Sequence, residues 1–286
     1  MTVINTNVSA TLASNAIARN ERAMSTAMER LSTGKRINSA GDDAAGLAIS
    51  ARMGSQVKGL EQAARNAADG ISMVQTIEGA GKEILNILTR MKELATQSAT
   101  GTLNATDRTA LDTEFDQLKE EIERVAENTK WNTVALMDAT PGNTKDVDIQ
   151  VGDASGGANE MTIVFKSWQP VASTNTGAYG VATFSVLDIG ADAATAQATM
   201  GSLDTAITTA SSELAKYGAY INRLEYAQDN LLNVAQNTDA SRSRIEDADY
   251  ASETSELAKT QIISQAGTAM LAQANQIKQT VLALLQ

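Results

Sequence analysis

Residues 260–286 read TQIISQAGTAMLAQANQIKQTVLALLQ, and this stretch decides the architecture. Ile263, Gly267, Met270, Ala274, Ile277, Val281 and Leu284 recur at alternating intervals of four and three, the spacing that lines one side of a coiled-coil helix. Lys278 is the single ionisable side chain in the stretch, and the other positions are mostly Gln, Asn, Ser, Thr and Gly. A solvated helix carries charge on its outer side. One this poor in charge is expected to be covered on several sides by partners that satisfy its polar groups.

The opposite end of the chain has the same character. Over residues 5–31, Val8, Leu12, Ala16, Met24, Met28 and Leu31 fall at helical intervals, and no charged side chain precedes Arg19. The simplest reading pairs the first and last helices with each other. Uncharged surface then remains for identical subunits, through an open-ended contact that grows a fibre rather than closing a ring. The expected polymerisation core is Val8, Leu12, Met24, Met28, Leu31, Ile263, Met270, Ile277, Val281 and Leu284.

Between the ends, a turn at residues 32–34 and a Gly-containing connector to about Gly46 precede a seam through Val57, Leu60, Ala64, Ala67, Ile71 and Val74. That seam resumes after Glu78 with Gly81, Leu85 and Leu88. A second helix carries Leu111, Phe115, Leu118, Ile122 and Val125 behind Thr106, read as its N-cap, and should lie antiparallel across the turn at 100–105. The helical period fails over about 131–190, where 147–151 and 161–165 read as short strands around a Gly-rich turn. It returns from Leu203 through Ala210, Tyr217, Leu224 and Leu231 to Ala235.

The expected fold is mainly α: a long antiparallel helical bundle or coiled coil, its N- and C-terminal helices paired, with a small β-hairpin region in the middle. Residues 1–45 and 241–286 would form the two halves of an inner helical domain, and 46–240 an outer bundle containing the β region.

Composition narrows the chemistry. The formal net charge of -11, with no basic stripe, opposes a nucleic-acid surface, and 0 Cys with 0 His removes thiol nucleophiles and most transition-metal sites. Gly79-Ala80-Gly81-Lys82 lacks the Gly and hydroxyl residues that a phosphate loop needs, since Thr76 and Glu83 stand in those places. Asp42 and Asp43 read as helix-start acids rather than a metal pair, and the acids between Glu114 and Glu123 as a solvated helix side. No catalytic, cofactor-binding or metal-ligating residue is expected, and no cofactor. Residues 1–18 lack the basic start and apolar core of a Sec-type leader, and no stretch reads as a membrane span.

Five blocks carry a family resemblance: MTVINTN at 1–7, RLSTGKRINSAGDDAAGL at 30–47, SRSRIEDADY at 241–250, AQANQ at 272–276 and VLALL at 281–285. Together, in this order, they resemble bacterial flagellin. The resemblance implies a chain folded back on itself, with its terminal helices innermost in an extracellular filament that drives motility. It further implies unfolded export through a flagellar type III apparatus, with an export chaperone, and addition at the tip beneath a filament cap, on a base of hook-junction proteins. A chain without Cys suits passage as a thread, since no disulfide can cross-link it. The resemblance also implies recognition by the animal Toll-like flagellin receptor through Leu88, Arg90, Leu94 and Glu114. The alternative within the same class is the hook-filament junction protein. An adhesin and an enzyme are the readings from other classes.

Overall fold

The computed structural model describes residues 7–137, 144–169, 179 and 184–283. Its helices are α1 (Val8–Thr33), α2 (Ala44–Ser98), α3 (Ala105–Asn128), α4 (Ala193–Glu246) and α5 (Tyr250–Ala283). Short strands β1 (Lys130–Trp131), β2 (Val134–Ala135), β3 (Thr144–Gln150) and β4 (Glu160–Lys166) lie between α3 and α4. The chain divides into two compact units, Lys58–Ala235 and Met1–Val57 with Gln236–Gln286. No helix among the described residues is long and apolar enough to cross a membrane.

In the Lys58–Ala235 unit most of the large apolar side chains meet in one core, and a smaller cluster gathers around Leu60 and Leu231. Ile77, Ile84, Leu88 and Met91 of α2, Phe115 and Ile122 of α3, and Leu203, Tyr217 and Leu224 of α4 are all fully buried. The α2 seam does not pause at Glu78. The buried line passes through Ala63, Ala67, Gly70, Val74, Ile77, Gly81, Ile84, Leu88 and Met91 at unbroken alternating steps of four and three. Buried Gly70 and Ile84 carry the line where the large side chains of half-buried Ile71 and Leu85 drew the sequence reading one position onward.

The N-cap of α3 is Asn104, not Thr106. Its side chain accepts from the backbone N–H of Asp107 at 2.8 Å, and the Asp107 carboxylate accepts from the N–H of Asn104, a reciprocal capping box. Arg108 Nε donates to the Ser98 carbonyl at 3.1 Å, closing the antiparallel turn between α2 and α3.

β1 and β2 form a two-residue hairpin whose corner residues, Asn132 and Thr133, have φ of 45° and 67°. Both signs suit the twist of a tight hairpin, but the left-handed region is costly for a β-branched threonine. β3 and β4 pair antiparallel in register from Thr144↔Lys166 to Gln150↔Glu160. Met161, Ile163 and Phe165 point into the core as the two-residue strand period requires.

Glycines 59, 70 and 81 of α2 recur every three turns and leave room for what packs there. A Cβ at Gly59 would sit 3.0 Å from Asp153, at Gly70 3.3 Å from Ile149, and at Gly81 3.4 Å from Trp168. The hairpin and the segment after it thus lie along that side of α2.

At the end of β4, Trp168 Nε1 donates to the Tyr217 hydroxyl at 3.2 Å, and Lys166 pairs with Glu213 of α4 at 2.8 Å. Glu213 is only 3% exposed and occupies a position in the α4 seam. Burial opposes its ionisation, but hydrogen bonds from Lys166 and Lys216 outweigh that effect and hold its pKa below the ordinary glutamate value.

Candidate assembly surface

Asn7 caps α1 by accepting from the Ala10 N–H at 3.1 Å. Gly34 ends the helix with φ 72°, a left-handed position that suits glycine, and its N–H reaches the Arg30 carbonyl at 2.8 Å. Beyond this cap the chain is stitched to the link between α4 and α5: Arg36 N donates to Glu246 O at 2.7 Å, and Ala248 N to Gly34 O at 3.0 Å. Lys35 forms an ion pair with Glu246. Asp43 Oδ1 accepts from Gly46 N at 2.9 Å and so caps the start of α2. Asp42 binds the N–H groups of Ser39 and Asn38, and these hydrogen bonds lower its pKa. Both acids therefore serve local turns, and the described residues contain no group of acidic side chains placed to hold a metal ion.

α1 and α5 pack antiparallel. Asn20 Nδ2 donates to the Thr260 carbonyl at 2.7 Å, and Asn7 Nδ2 to the Ala274 carbonyl at 3.3 Å. Nearer the turn, Arg30 pairs with Glu253 at 3.1 Å, and the Tyr250 hydroxyl donates to the Leu31 carbonyl at 3.1 Å. A Cβ on Gly267 would stand 2.8 Å from Ile17 Cγ1, so glycine permits the two helices to approach this closely.

The side of α1 turned to α5 carries Ala10, Ala13, Ile17, Asn20, Met24, Ala27 and Leu31. The facing side of α5 carries Leu257, Thr260, Ser264, Gly267, Leu271 and Ala274. Both sets keep heptad spacing, but most members are small or polar. The large apolar residues expected to share one seam are thereby divided. Met24 and Leu31 are half-buried in the seam. Val8 (66%), Leu12 (67%), Met28 (50%), Ile263 (45%) and Met270 (67%) are exposed, as is Ile262 (66%). The side chains of Ile277 and Val281, and Leu284 altogether, lie outside the described residues. Of the inner heptad the sequence reading caught Met24, Leu31, Gly267 and Ala274 and missed the rest, most of which is Ala, Asn, Ser and Thr. The 4-3 spacing of Thr260, Ser264, Gly267, Leu271 and Ala274 was the available signal.

The expected recognition patch also divides. Leu88 and Leu94 are core residues with 0% and 1% exposure, so neither offers a surface. Arg90 and Glu114 are exposed and joined across α2 and α3: Arg90 Nε and Nη2 donate to Glu114 Oε1 at 3.1 and 2.9 Å, and Nη1 to Glu93 at 3.0 Å.

Two family models match the chain, the bacterial flagellin N-terminal helical region over residues 4–141 and the bacterial flagellin C-terminal helical region over residues 200–285. The flagellin of Halalkalibacterium halodurans is 45% identical over 260 residues, 91% of this chain and 91% of that protein. The flagellin of Bacillus subtilis is 41% identical, with 99% of each chain covered. A solved structure of a putative flagellar hook-associated protein from Vibrio parahaemolyticus covers 72% of this chain and 100% of its own, with TM-score 0.55 and 14% identity, a likeness of fold alone. Likeness along nearly the whole length, together with both terminal regions matched in order, makes this chain a member of the bacterial flagellin family.

Proposed function

We propose that this chain builds the bacterial flagellar filament by covering the exposed apolar sides of α1 and α5 with the same helices of neighbouring subunits. As a flagellin it is a structural filament protein rather than an enzyme, and the filament it forms is an extracellular appendage. The observation that carries the finer reading is the inversion on the terminal helices. Small and polar residues occupy most of the seam within one chain, while Val8, Leu12, Met28, Ile263 and Met270 are exposed, and no charged side chain lies within one turn of Val8, Leu12 or Met270. Burying such a side chain is worth about 1.5–3 kcal/mol, and several per subunit suffice to drive polymerisation against the cost of ordering. Ile277, Val281 and Leu284 extend the same proposal to the end of the chain. The division into an inner domain from both termini and an outer bundle is part of this reading.

Negative-stain microscopy and pelleting of concentrated protein test it. Wild-type protein should form long filaments, and Ile263→Ser with Met270→Ser should leave it in the supernatant. Equal pelleting of the two would reject the surface. Type III export, a chaperone, a tip cap and hook-junction partners belong to the same proposal through the family likeness.

A second reading concerns the Arg90–Glu114 pair, which is exposed and held in a fixed fork. It is suited to recognition by the Toll-like flagellin receptor. Reporter-cell signalling by monomer should fall with Arg90→Ala while filament formation persists. Unchanged signalling would remove the pair from recognition.

A further inference from the structure

Methionine sulfur is distributed unevenly over the described residues. Met73, Met91, Met137 and Met161 are buried in the Lys58–Ala235 core, and Met24, Met53 and Met200 are half-buried. The exposed ones are Met28 on α1 and Met270 on α5, at 50% and 67%. Both stand on the outward apolar sides proposed above to be covered by neighbouring subunits. They lie toward opposite ends of the helix pair, Met28 near the Arg30–Glu253 ion pair and Met270 between Gly267 and Ala274.

A thioether exposed in this way is open to two-electron oxidation. Its sulfur lone pair attacks the distal oxygen of a hydroperoxide, an S–O bond forms as the O–O bond breaks, and the departing oxygen takes a proton to leave as water or an alcohol. Sulfur is oxidised and the peroxide reduced. The product sulfoxide is polar and chiral, and its oxygen demands a hydrogen-bond donor when covered. The backbone N–H groups of a helix interior are already engaged in the helix, so a covered sulfoxide oxygen depends on a side-chain donor within one turn, Ser25 or Ser32 for Met28 and Gln273 for Met270, and is otherwise left unpaired. A leucine would fill a similar volume without this liability.

We infer that Met28 and Met270 form an oxidative modification site of the free subunit, converted by hydroperoxides to methionine sulfoxide, and that the modified subunit is refused by the growing filament. The inference rests on the assembly reading above. Within a filament the same sulfurs are shielded, so the site reports whether a subunit has yet been incorporated. Reduction of the sulfoxide by methionine sulfoxide reductase restores competence.

The test uses full-length monomer treated with hydrogen peroxide, mapped by mass spectrometry, then added to sheared filament seeds. Sulfoxide should appear at Met28 and Met270 before the buried methionines. Seeded elongation should fall about tenfold, the factor for roughly 1.4 kcal/mol of lost contact, and recover after reductase treatment. Met28→Leu with Met270→Leu, compared with its own untreated rate, should show no loss on peroxide exposure. Peroxide of equal dose applied to assembled filaments should leave both sulfurs unmodified. Unchanged elongation with both sulfoxides present would overturn the inference, as would an equal loss in the double leucine variant. Untreated monomer that never elongates on seeds would overturn the assembly reading itself, and the inference with it.

Discussion

The Lys58–Ala235 bundle and the α1–α5 pair use the same heptad spacing and place their side chains in opposite ways. In the bundle, Ile84, Leu88, Met91, Leu203 and Tyr217 fill the seam, while Arg90, Glu93 and Glu114 face water. In the pair, Asn20, Thr260, Ser264 and Gly267 fill the seam, while Leu12, Ile262 and Met270 face outward. The bundle buries most of its large apolar side chains within one chain, although Tyr226, Leu232 and Val234 of α4 stay exposed. The pair keeps small and polar residues in much of its seam and leaves Val8, Leu12, Met28, Ile262, Ile263 and Met270 uncovered, which marks half of an interface rather than a finished fold. A lone helix pair with a polar seam gains little from packing, and packing supplies most of the stability of helices in proteins.

Removing residues 260–286 should have the largest effect. Polymerisation, followed by pelleting, is expected to vanish, whereas the bundle's thermal unfolding transition should persist. Loss of that transition would show that the bundle depends on the tail. Next, Leu88→Ala should lower the stability of the bundle by about 2–5 kcal/mol in denaturant unfolding, the cost of a cavity in a packed core. An effect below the range of surface substitutions would mean that the α2 seam is loose.

Gly267→Val should cost about 1–3 kcal/mol in the α1–α5 pairing, through the close approach to Ile17. Circular dichroism of the monomer should show lost helix, with the bundle transition unmoved. Ile263→Ser should leave monomer unfolding within about 0.5 kcal/mol of wild type, as for other exposed substitutions, yet raise the critical concentration for assembly. A large monomer effect would return Ile263 to the intrachain seam.

The smallest effect is a pH dependence confined to the bundle. Because Glu213 has its pKa depressed on folding, its contribution is present above the ordinary glutamate value of 4.5 and is lost as pH falls through the folded value. Glu213→Gln should flatten that acid limb of stability, measured by urea unfolding between neutral and acid pH, because the Lys166 and Lys216 contacts no longer involve a titrating carboxylate.

Periodicity alone located the long helices, the antiparallel turn before α3 and the strands on either side of the Gly-rich turn, because large apolar residues at regular intervals mark whatever they bury. It failed where burial is carried by other residue types. More than half of the seam positions of α1 and α5 are alanine, asparagine, serine, threonine or glycine, so Val8, Leu12 and Met28 of the visible stripe belong to the outer side while Met24 and Leu31 stay in the seam. Glu213 reads as one more surface acid until Lys166 arrives from a strand 47 positions earlier in the chain (213 less 166). Asn104 and Thr106 are both capping residue types, asparagine the better of the two, and the reciprocal bond with Asp107 fixes Asn104 as the cap. For the recognition residues, helical phase separates Leu88 and Leu94 from Arg90, and Leu88 already stood in the apolar seam read from the sequence.

Amide hydrogen exchange on dilute monomer and on assembled filament tests the central claim most directly. Residues 8–33 and 250–283 should exchange quickly in the monomer, while the buried helices of Lys58–Ala235 stay protected, and both regions should be protected in the filament. Terminal amides as slow in the dilute monomer as those of the bundle, with no further slowing on assembly, would contradict it.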